Sequence, residues 1–125
     1  MSTEKNKAAL LRWIDALNKK DLSALDKMAD ELFTADYISH PGAPGAERGP
    51  EGVKKGVHQV FKDNPDMHHT LEDMIAEGNK VASRISFRFT DTVSGKPANF
   101  LAIGISRFVG EKIAEEWELS VPGQW

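Results

Sequence analysis

The chain has 125 residues, a net charge of −3 and no cysteine. This length predicts a single domain over residues 1–125 with a moderate core. The charge and the lack of a Lys/Arg cluster argue against a nucleic-acid partner. The lack of cysteine excludes disulfides, thiolate nucleophiles and Cys-based zinc sites. The polar N-terminus is not followed by a long apolar stretch, so we predict no signal peptide, no membrane span and a cytoplasmic protein.

The chain begins with two segments of helical periodicity. Apolar residues recur at helical spacing behind a capping Ser2 or Thr3, and again behind Asp21, which is a good N-cap. These patterns predict helices over about 3–19 and 22–33. Because the two helices are joined so tightly, we expect a helical hairpin.

A short extended segment and a Pro/Gly-rich loop follow the hairpin. Residues 41–49 contain the turn residues that favour irregular backbone. Pro50 is well placed as the first residue of a helix. The apolar stripe behind it predicts a third helix over about 50–63.

From Met67 onward the apolar period changes to two, which is typical of β-strands. Short turns separate the strands, so we predict an antiparallel meander. Helices followed by strands are typical of an α+β fold. The predicted strands cover about 67–77, 81–90, 99–109 and 112–121.

The last strand has one apolar and one polar set of alternate residues, which point to opposite faces of a sheet. Trp117 and Val121 belong to the apolar set, and Glu118 belongs to the polar set. Glu115 is a carboxylate on the apolar parity. If the apolar face lines a cavity, Glu115 and Trp117 point into it; if that face is plain core, Glu115 must lie near a rim.

Six segments, in this order, resemble the SnoaL-like polyketide cyclase family of the nuclear transport factor 2-like (NTF2-like) superfamily. They are FTADYISH at 33–40, GPEGV at 49–53, NPDMH at 64–68, LEDMIAEG at 71–78, VASR at 81–84 and KIAEEW at 112–117. The resemblance implies an NTF2-like α+β cone, in which three N-terminal helices pack on a curved antiparallel β-sheet. It also implies a cofactor-free pocket between the helices and the concave sheet face.

The resemblance further implies the family's aldol chemistry, in which a side-chain acid/base moves one proton and the pocket stabilises an enolate. In the family's cyclases, an Asp four residues after the Trp of the last strand carries that proton. Here the corresponding residue is Val121, which can neither accept nor donate a proton. This departure favours a binding protein more than the resemblance alone does.

His40 and Glu115 are the predicted catalytic residues. His40 matches the family's Tyr-x-x-His element and could act as a general acid/base near neutral pH; the alternative is that it orders the following loop. Glu115 and Glu118 lie on opposite faces, and parity with Trp117 favours Glu115 as the carboxylate of the cavity. The alternative for Glu115 is a salt bridge across the sheet to Arg84, Arg88 or Arg107.

The predicted pocket wall is mostly aromatic. A flat indole suits an aromatic or polycyclic ligand, and its N–H can donate one hydrogen bond. Each of these side chains could instead belong to the ordinary core. The predicted pocket residues are Trp13, Tyr37, Phe61, Arg84, Phe87, Phe100, Trp117 and Val121.

From these features we predict a cofactor-independent lyase or isomerase on a small hydrophobic carbonyl or polyketide-like compound. The alternative is a non-catalytic binder of an apolar molecule in the cone. A hydrolase would need two carboxylates and an arginine such as Arg84 together. We predict no metal site, because His68 and His69 are adjacent on a strand and point to opposite faces. The strand around Ala102–Ile105 is apolar on both faces, which predicts a homodimer through the convex sheet face.

Overall fold

The computed structural model describes residues 2–42 and 45–123. Ala43 and Pro44 of the predicted loop lie outside the described residues. Three helices and five strands form in the predicted α+β order. They are α1 (Thr3–Lys19), α2 (Leu22–Leu32), β1 (Phe33–His40), α3 (Gly49–Asp63), β2 (His68–Glu77), β3 (Lys80–Thr90), β4 (Pro97–Val109) and β5 (Lys112–Pro122).

The helix boundaries follow from local chemistry. The side chain of Ser2 accepts a hydrogen bond from the backbone N–H of Lys5, and Asp21 caps α2 in the same way. At the start of α3, Gly49 has a φ of +77°, and a Cβ there would lie 2.5 Å from the carbonyl oxygen of Ala35. Only glycine fits both conditions, so Gly49 allows α3 to start against β1.

The sheet has the strand order β1-β5-β4-β3-β2, and β2 to β5 form the predicted antiparallel meander. The parallel pairing of β1 with β5 was not predicted from the sequence. Its partners are far apart in the chain, so no local pattern specifies the pairing. It sets His40 beside Trp117 and Ser39 beside Glu116.

The core lies between α1, α2 and the concave face of the sheet, which is the face that the helices cover. At its centre the ring of Phe33 makes edge contacts with Trp13 (5.2 Å between ring centroids) and Tyr37 (4.8 Å). Phe33 is 2% exposed. These contacts fix Tyr37 at the place where β1 meets the rest of the sheet.

The opposite, convex face of the sheet carries exposed apolar side chains on the neighbouring strands β4 and β5. Leu119 is 76% exposed and Ile103, its partner on β4, is 49% exposed. We call this surface the convex patch; it comprises Ile103, Ile105, Trp117, Leu119 and Val121. No helix in the described part of the chain is long and apolar enough to cross a membrane.

Candidate functional site

A cavity of about 930 Å³ lies between α1, α3 and the concave face of the sheet. Its walls are mainly apolar side chains from α1, such as Trp13, from α3, such as Phe61, and from β3, such as Phe87. Charged residues of the loop before α3 and of α3 itself, among them Arg48 and Lys55, border it.

A half-buried carboxylate, that of Glu116 on β5, lies in this cavity. Tyr37 donates its hydroxyl to Glu116 Oε1 at 2.8 Å, and Ser106 donates to Oε2 at 2.5 Å. The strand register explains the arrangement, because Ser106 on β4 pairs directly with Glu116 and β1 is the other neighbour of β5. Each carboxylate oxygen of Glu116 therefore has one hydroxyl donor.

Burial and hydrogen bonding act in opposite directions on this group. Burial raises the pKa of Glu116, and the hydroxyls of Ser106 and Tyr37 offset part of that effect. Burial, followed by the negative charge of Glu116, raises the pKa of Tyr37 above its ordinary value. Tyr37 therefore remains protonated and serves as a hydrogen-bond donor at neutral pH.

Glu118 lies two residues further along β5 and borders the same cavity. Burial raises the pKa of Glu118, and the charge of Glu116 raises it further. Among residues 2–42 and 45–123, no side chain hydrogen-bonds the Glu118 carboxylate. Its oxygens are therefore available to a molecule in the cavity.

A glycine makes room for Glu118. Gly104 on β4 pairs with Glu118, and on its other side Gly104 pairs with Ser83 on β3. A Cβ on Gly104 would lie 2.9 Å from the Trp117 carbonyl oxygen and 3.5 Å from Glu118 Cβ. The row Ser83–Gly104–Glu118 thus has a gap between a hydroxyl and a carboxylate, both of which line the cavity.

We expect Gly104→Ala to lower the free energy of unfolding by about 1–3 kcal/mol, because the added methyl group displaces the β5 backbone. Gly56→Ala is the matched control. A Cβ on Gly56 meets nothing within 4 Å, and alanine favours the helix by about 0.5–1 kcal/mol. Urea unfolding of both variants tests the expectation; equal stability of the two would contradict the crowding at Gly104.

Six of the residues predicted for the site border the cavity, and four do not. Those that border it are Trp13, Tyr37, His40, Phe61, Phe87 and Trp117. Trp117 also belongs to the convex patch, because it lies between Glu116 and Glu118, which face the cavity. Arg84 instead makes two hydrogen bonds to Asp73, at 2.9 and 2.7 Å. Phe100 stacks on Phe89, and Val121 belongs to the exposed convex patch. The arginine that a hydrolase would need is thus not supplied by Arg84.

The structure corrects the predicted orientation of Glu115. Its neighbour Glu116 points into the cavity, so Glu115 points to the convex face. There Glu115 forms the salt bridge with Arg107 that was the alternative prediction, at 3.1 Å, and its Oε2 lies 2.7 Å from His40 Nε2. These contacts, that of His40 first, lower the pKa of Glu115.

His40 is therefore tied to the convex side as well as to the cavity rim. Its ring stacks on Trp117, with 5.6 Å between centroids and 17° between planes. The prediction from parity failed because it placed the apolar side of β5 inside. A register shift at Ala114 separates the buried Ile113 from the rest of the strand. Beyond that shift the polar residues Glu116 and Glu118 face the cavity, and the apolar ones form the convex patch.

Sequence reasoning did not assign a site role to Glu116 or His69. The signal for Glu116 was present, because Glu116 and Glu118 share a parity. Recognising Glu116 as a site residue requires the pairing of β5 with β1 and β4, which brings Tyr37 and Ser106 to the same carboxylate. In the described residues, no three His, Asp or Glu side chains are grouped as metal ligands would be.

Known proteins resemble this chain over nearly its whole length. A family model described as SnoaL-like polyketide cyclase matches residues 7–120. TsrD from Streptomyces laurentii superposes with a TM-score of 0.82 at 20% identity, covering 96% of this chain and 90% of that one. No curated protein sequence gives a significant match.

Two further solved structures are described as candidate polyketide cyclases. IdmH from Streptomyces antibioticus has a TM-score of 0.77 at 25% identity, covering 92% of this chain and 91% of that one. The protein from Bacillus cereus has a TM-score of 0.79 at 26% identity, covering 96% and 78%. These similarities confirm the predicted NTF2-like α+β cone.

Proposed function

Because the chain belongs to the SnoaL-like polyketide cyclase family, we propose that it is a cofactor-independent lyase or isomerase that moves a proton on a small hydrophobic carbonyl or polyketide-like compound. One observation carries the proposal: Glu116 and Glu118 share an apolar cavity, and burial raises the pKa of both. A carboxylate of raised pKa in an apolar site is a suitable general base for a carbon acid.

In this proposal Glu118 removes a proton from the carbon next to the substrate carbonyl. The C–H electron pair forms the enolate, and the proton stays on Glu118 until it returns to carbon or passes to the aldol oxygen. Ser83 lies across the Gly104 gap and can donate its hydroxyl to the carbonyl oxygen. Glu116, fixed by Tyr37 and Ser106, keeps Glu118 basic through its charge.

The experiment that tests this function is α-hydrogen exchange of 2-tetralone in D₂O, followed by proton NMR. This ketone is small and apolar, and exchange at carbon 1 requires the proposed step and nothing more. We expect the protein to accelerate exchange with saturation in ketone. Exchange no faster than that caused by an equal concentration of acetate would overturn the proposal.

A second candidate function is non-catalytic binding of an apolar molecule in the cone. It is supported by Val121, which stands where the family resemblance places the acid/base Asp, and by the mainly apolar cavity walls. The 2-tetralone experiment separates the two functions. A binder would shift protein NMR signals on addition of the ketone and leave the exchange rate unchanged.

We also propose that two copies of the chain pair through the convex patch. The patch is apolar and continuous across β4 and β5, and monomeric proteins rarely expose such surfaces. Light scattering at micromolar concentration should then give about twice the chain mass of 13.8 kDa.

Leu119→Lys should convert this dimer to a monomer, because a charge would be buried at the centre of the interface. Val93→Lys is the matched control, since Val93 is 95% exposed in the turn between β3 and β4, away from the patch. A monomeric wild-type chain, or a Leu119→Lys variant that remains dimeric, would refute this pairing.

A further inference from the structure

A second polar group, the imidazole of His69, faces the cavity far from the two carboxylates. His69 lies on β2, at the sheet edge opposite to β1. Its ring contacts the Phe87 ring edge-on, with 5.1 Å between centroids. The proton-transfer step proposed above does not use this residue.

The side chain of Asn18 holds His69 in place. Asn18 Nδ2 donates to the carbonyl oxygen of His69 at 2.7 Å, and the backbone N–H of His69 donates to Asn18 Oδ1 at 2.8 Å. Because β2 is an edge strand, this pair of bonds satisfies backbone groups that a further strand would otherwise bind, and it joins the end of α1 to β2. The backbone of His69 is thus fixed on both sides, which is expected of a residue that positions a ligand.

The two ring nitrogens of His69 have different surroundings. Nδ1 is buried and has no hydrogen-bond partner among the described residues, whereas Nε2 is not buried in this way. Burial, then the positive charges of His68 and Lys20, lower the pKa of His69 to about 4. The ring is therefore neutral at physiological pH. A proton on Nδ1 would be a buried donor without an acceptor, so the favoured tautomer carries its proton on Nε2.

We propose that His69 is a ligand-binding residue that donates a hydrogen bond from Nε2 to an oxygen atom of the substrate, at the end away from the reacting carbon. This inference rests on the proposed function for the identity of the ligand as an oxygenated apolar compound. It adds that the substrate has a second oxygen, and that His69 selects for that oxygen.

The strand register indicates the length of such a substrate. Glu118 and His69 are three strands apart, or about 14 Å across the sheet, and four residues apart along it, or about 13 Å. Side chains from both ends shorten this span, which leaves about 10–15 Å between the reacting carbon at Glu118 and the second oxygen at His69. The apolar side chains of Ile85 and Phe87 line the cavity between them. These dimensions fit an elongated molecule of about three or four fused rings with an oxygen at each end.

The first test uses ¹⁵N-histidine-labelled protein. We expect the His69 ring to remain neutral from pH 5.5 to 8, with its proton on Nε2. Addition of menadione, a naphthoquinone with carbonyl acceptors, should shift the Nε2 and H–Nε2 signals. A charged ring, a proton on Nδ1, or signals that do not respond to bound menadione would overturn the proposal.

The second test compares menadione with 2-methylnaphthalene, which has the same carbon skeleton without the oxygens. Dissociation constants come from NMR titration, and the chain has no cysteine to add to the quinone. One neutral hydrogen bond should make the preference of the wild type for menadione about three- to tenfold. His69→Phe keeps the ring packing and should lose that preference, whereas His69→Gln retains an amide donor and should keep part of it.

An equal preference in the wild type and His69→Phe would overturn the proposal; if that variant fails to fold, the ¹⁵N signals of the wild type decide alone. Glu118→Gln separates this inference from the proposed function. It should lose 2-tetralone exchange and keep the preference for menadione. If His69→Phe loses the preference for menadione but neither the wild type nor any variant accelerates 2-tetralone exchange, His69 is a ligand-binding residue and only the proposed proton transfer is rejected.

Discussion

Glu118→Gln is expected to slow the exchange of 2-tetralone by about 10²–10⁴-fold, the usual contribution of a positioned general base. The amide has the size of the carboxylate and cannot accept the proton. Because Glu118 makes no hydrogen bond to another described side chain, the substitution should leave the fold intact. Circular dichroism and the urea unfolding midpoint check the fold.

Glu115→Gln is the matched control for this substitution. It makes the same chemical change on the same strand, three residues earlier and on the opposite face. Its carboxylate bonds His40 and Arg107 and does not border the cavity. We expect its exchange rate to stay within about threefold of the wild-type rate, a change well below that of a lost general base. A loss in Glu115→Gln that equals the loss in Glu118→Gln would contradict the assignment of the base to the cavity.

The second large effect is expected from Glu116→Gln, which removes the half-buried charge next to Glu118. Exchange should slow by about tenfold, because Glu118 becomes a weaker base once its pKa falls. In the wild type the acid limb of the pH profile of kcat/KM should lie above the ordinary range of a glutamate. In the variant this limb should move to lower pH.

The difference in stability between the wild type and this variant should change with pH in a defined direction. Glu116 binds its proton more tightly in the folded state than in the unfolded state, because burial raises its pKa. The stabilisation of the folded wild type by this proton is therefore complete at pH values below the ordinary glutamate pKa. It is lost as the pH rises through the raised pKa of Glu116 in the folded state.

Urea unfolding of the wild type and Glu116→Gln at pH 4.5, 6 and 8 tests this linkage. Relative to the wild type, Glu116→Gln should gain stability as the pH rises across this range, because it has no buried charge to accommodate. Ser106→Ala is the opposite control, since it removes a donor to the carboxylate and should lose stability most at pH 8. A stability difference between the wild type and Glu116→Gln that is independent of pH would contradict a pKa of Glu116 that is raised in the folded state.

Most of the fold is contained in local patterns. The caps at Ser2 and Asp21, the proline that opens α3 and the period-two strands all report the backbone conformation of their own segment. They therefore predicted the helices and the meander closely. The pairing of β1 with β5 depends on residues far apart in the chain, and no local signal specifies it.

The site was predicted less well, because its geometry depends on which face of β5 is covered. Parity separates Glu115 and Trp117 from Glu116 and Glu118, but it does not say which set faces the helices. Apolar residues are usually inside, and that rule placed Glu115 in the cavity. It failed here because a register shift at Ala114 separates the buried Ile113 from the rest of β5, and beyond it Trp117 and its apolar neighbours form an exposed patch on the convex face.

The most direct test of the central claim compares His40→Ala with Glu118→Gln in the 2-tetralone exchange experiment. The claim is that the polar face of β5, and not the His40–Glu115 pair, moves the proton. We predict that Glu118→Gln loses the acceleration and that His40→Ala keeps it within about threefold, both variants being folded. Loss of the acceleration in His40→Ala, with full activity in Glu118→Gln, would contradict the claim.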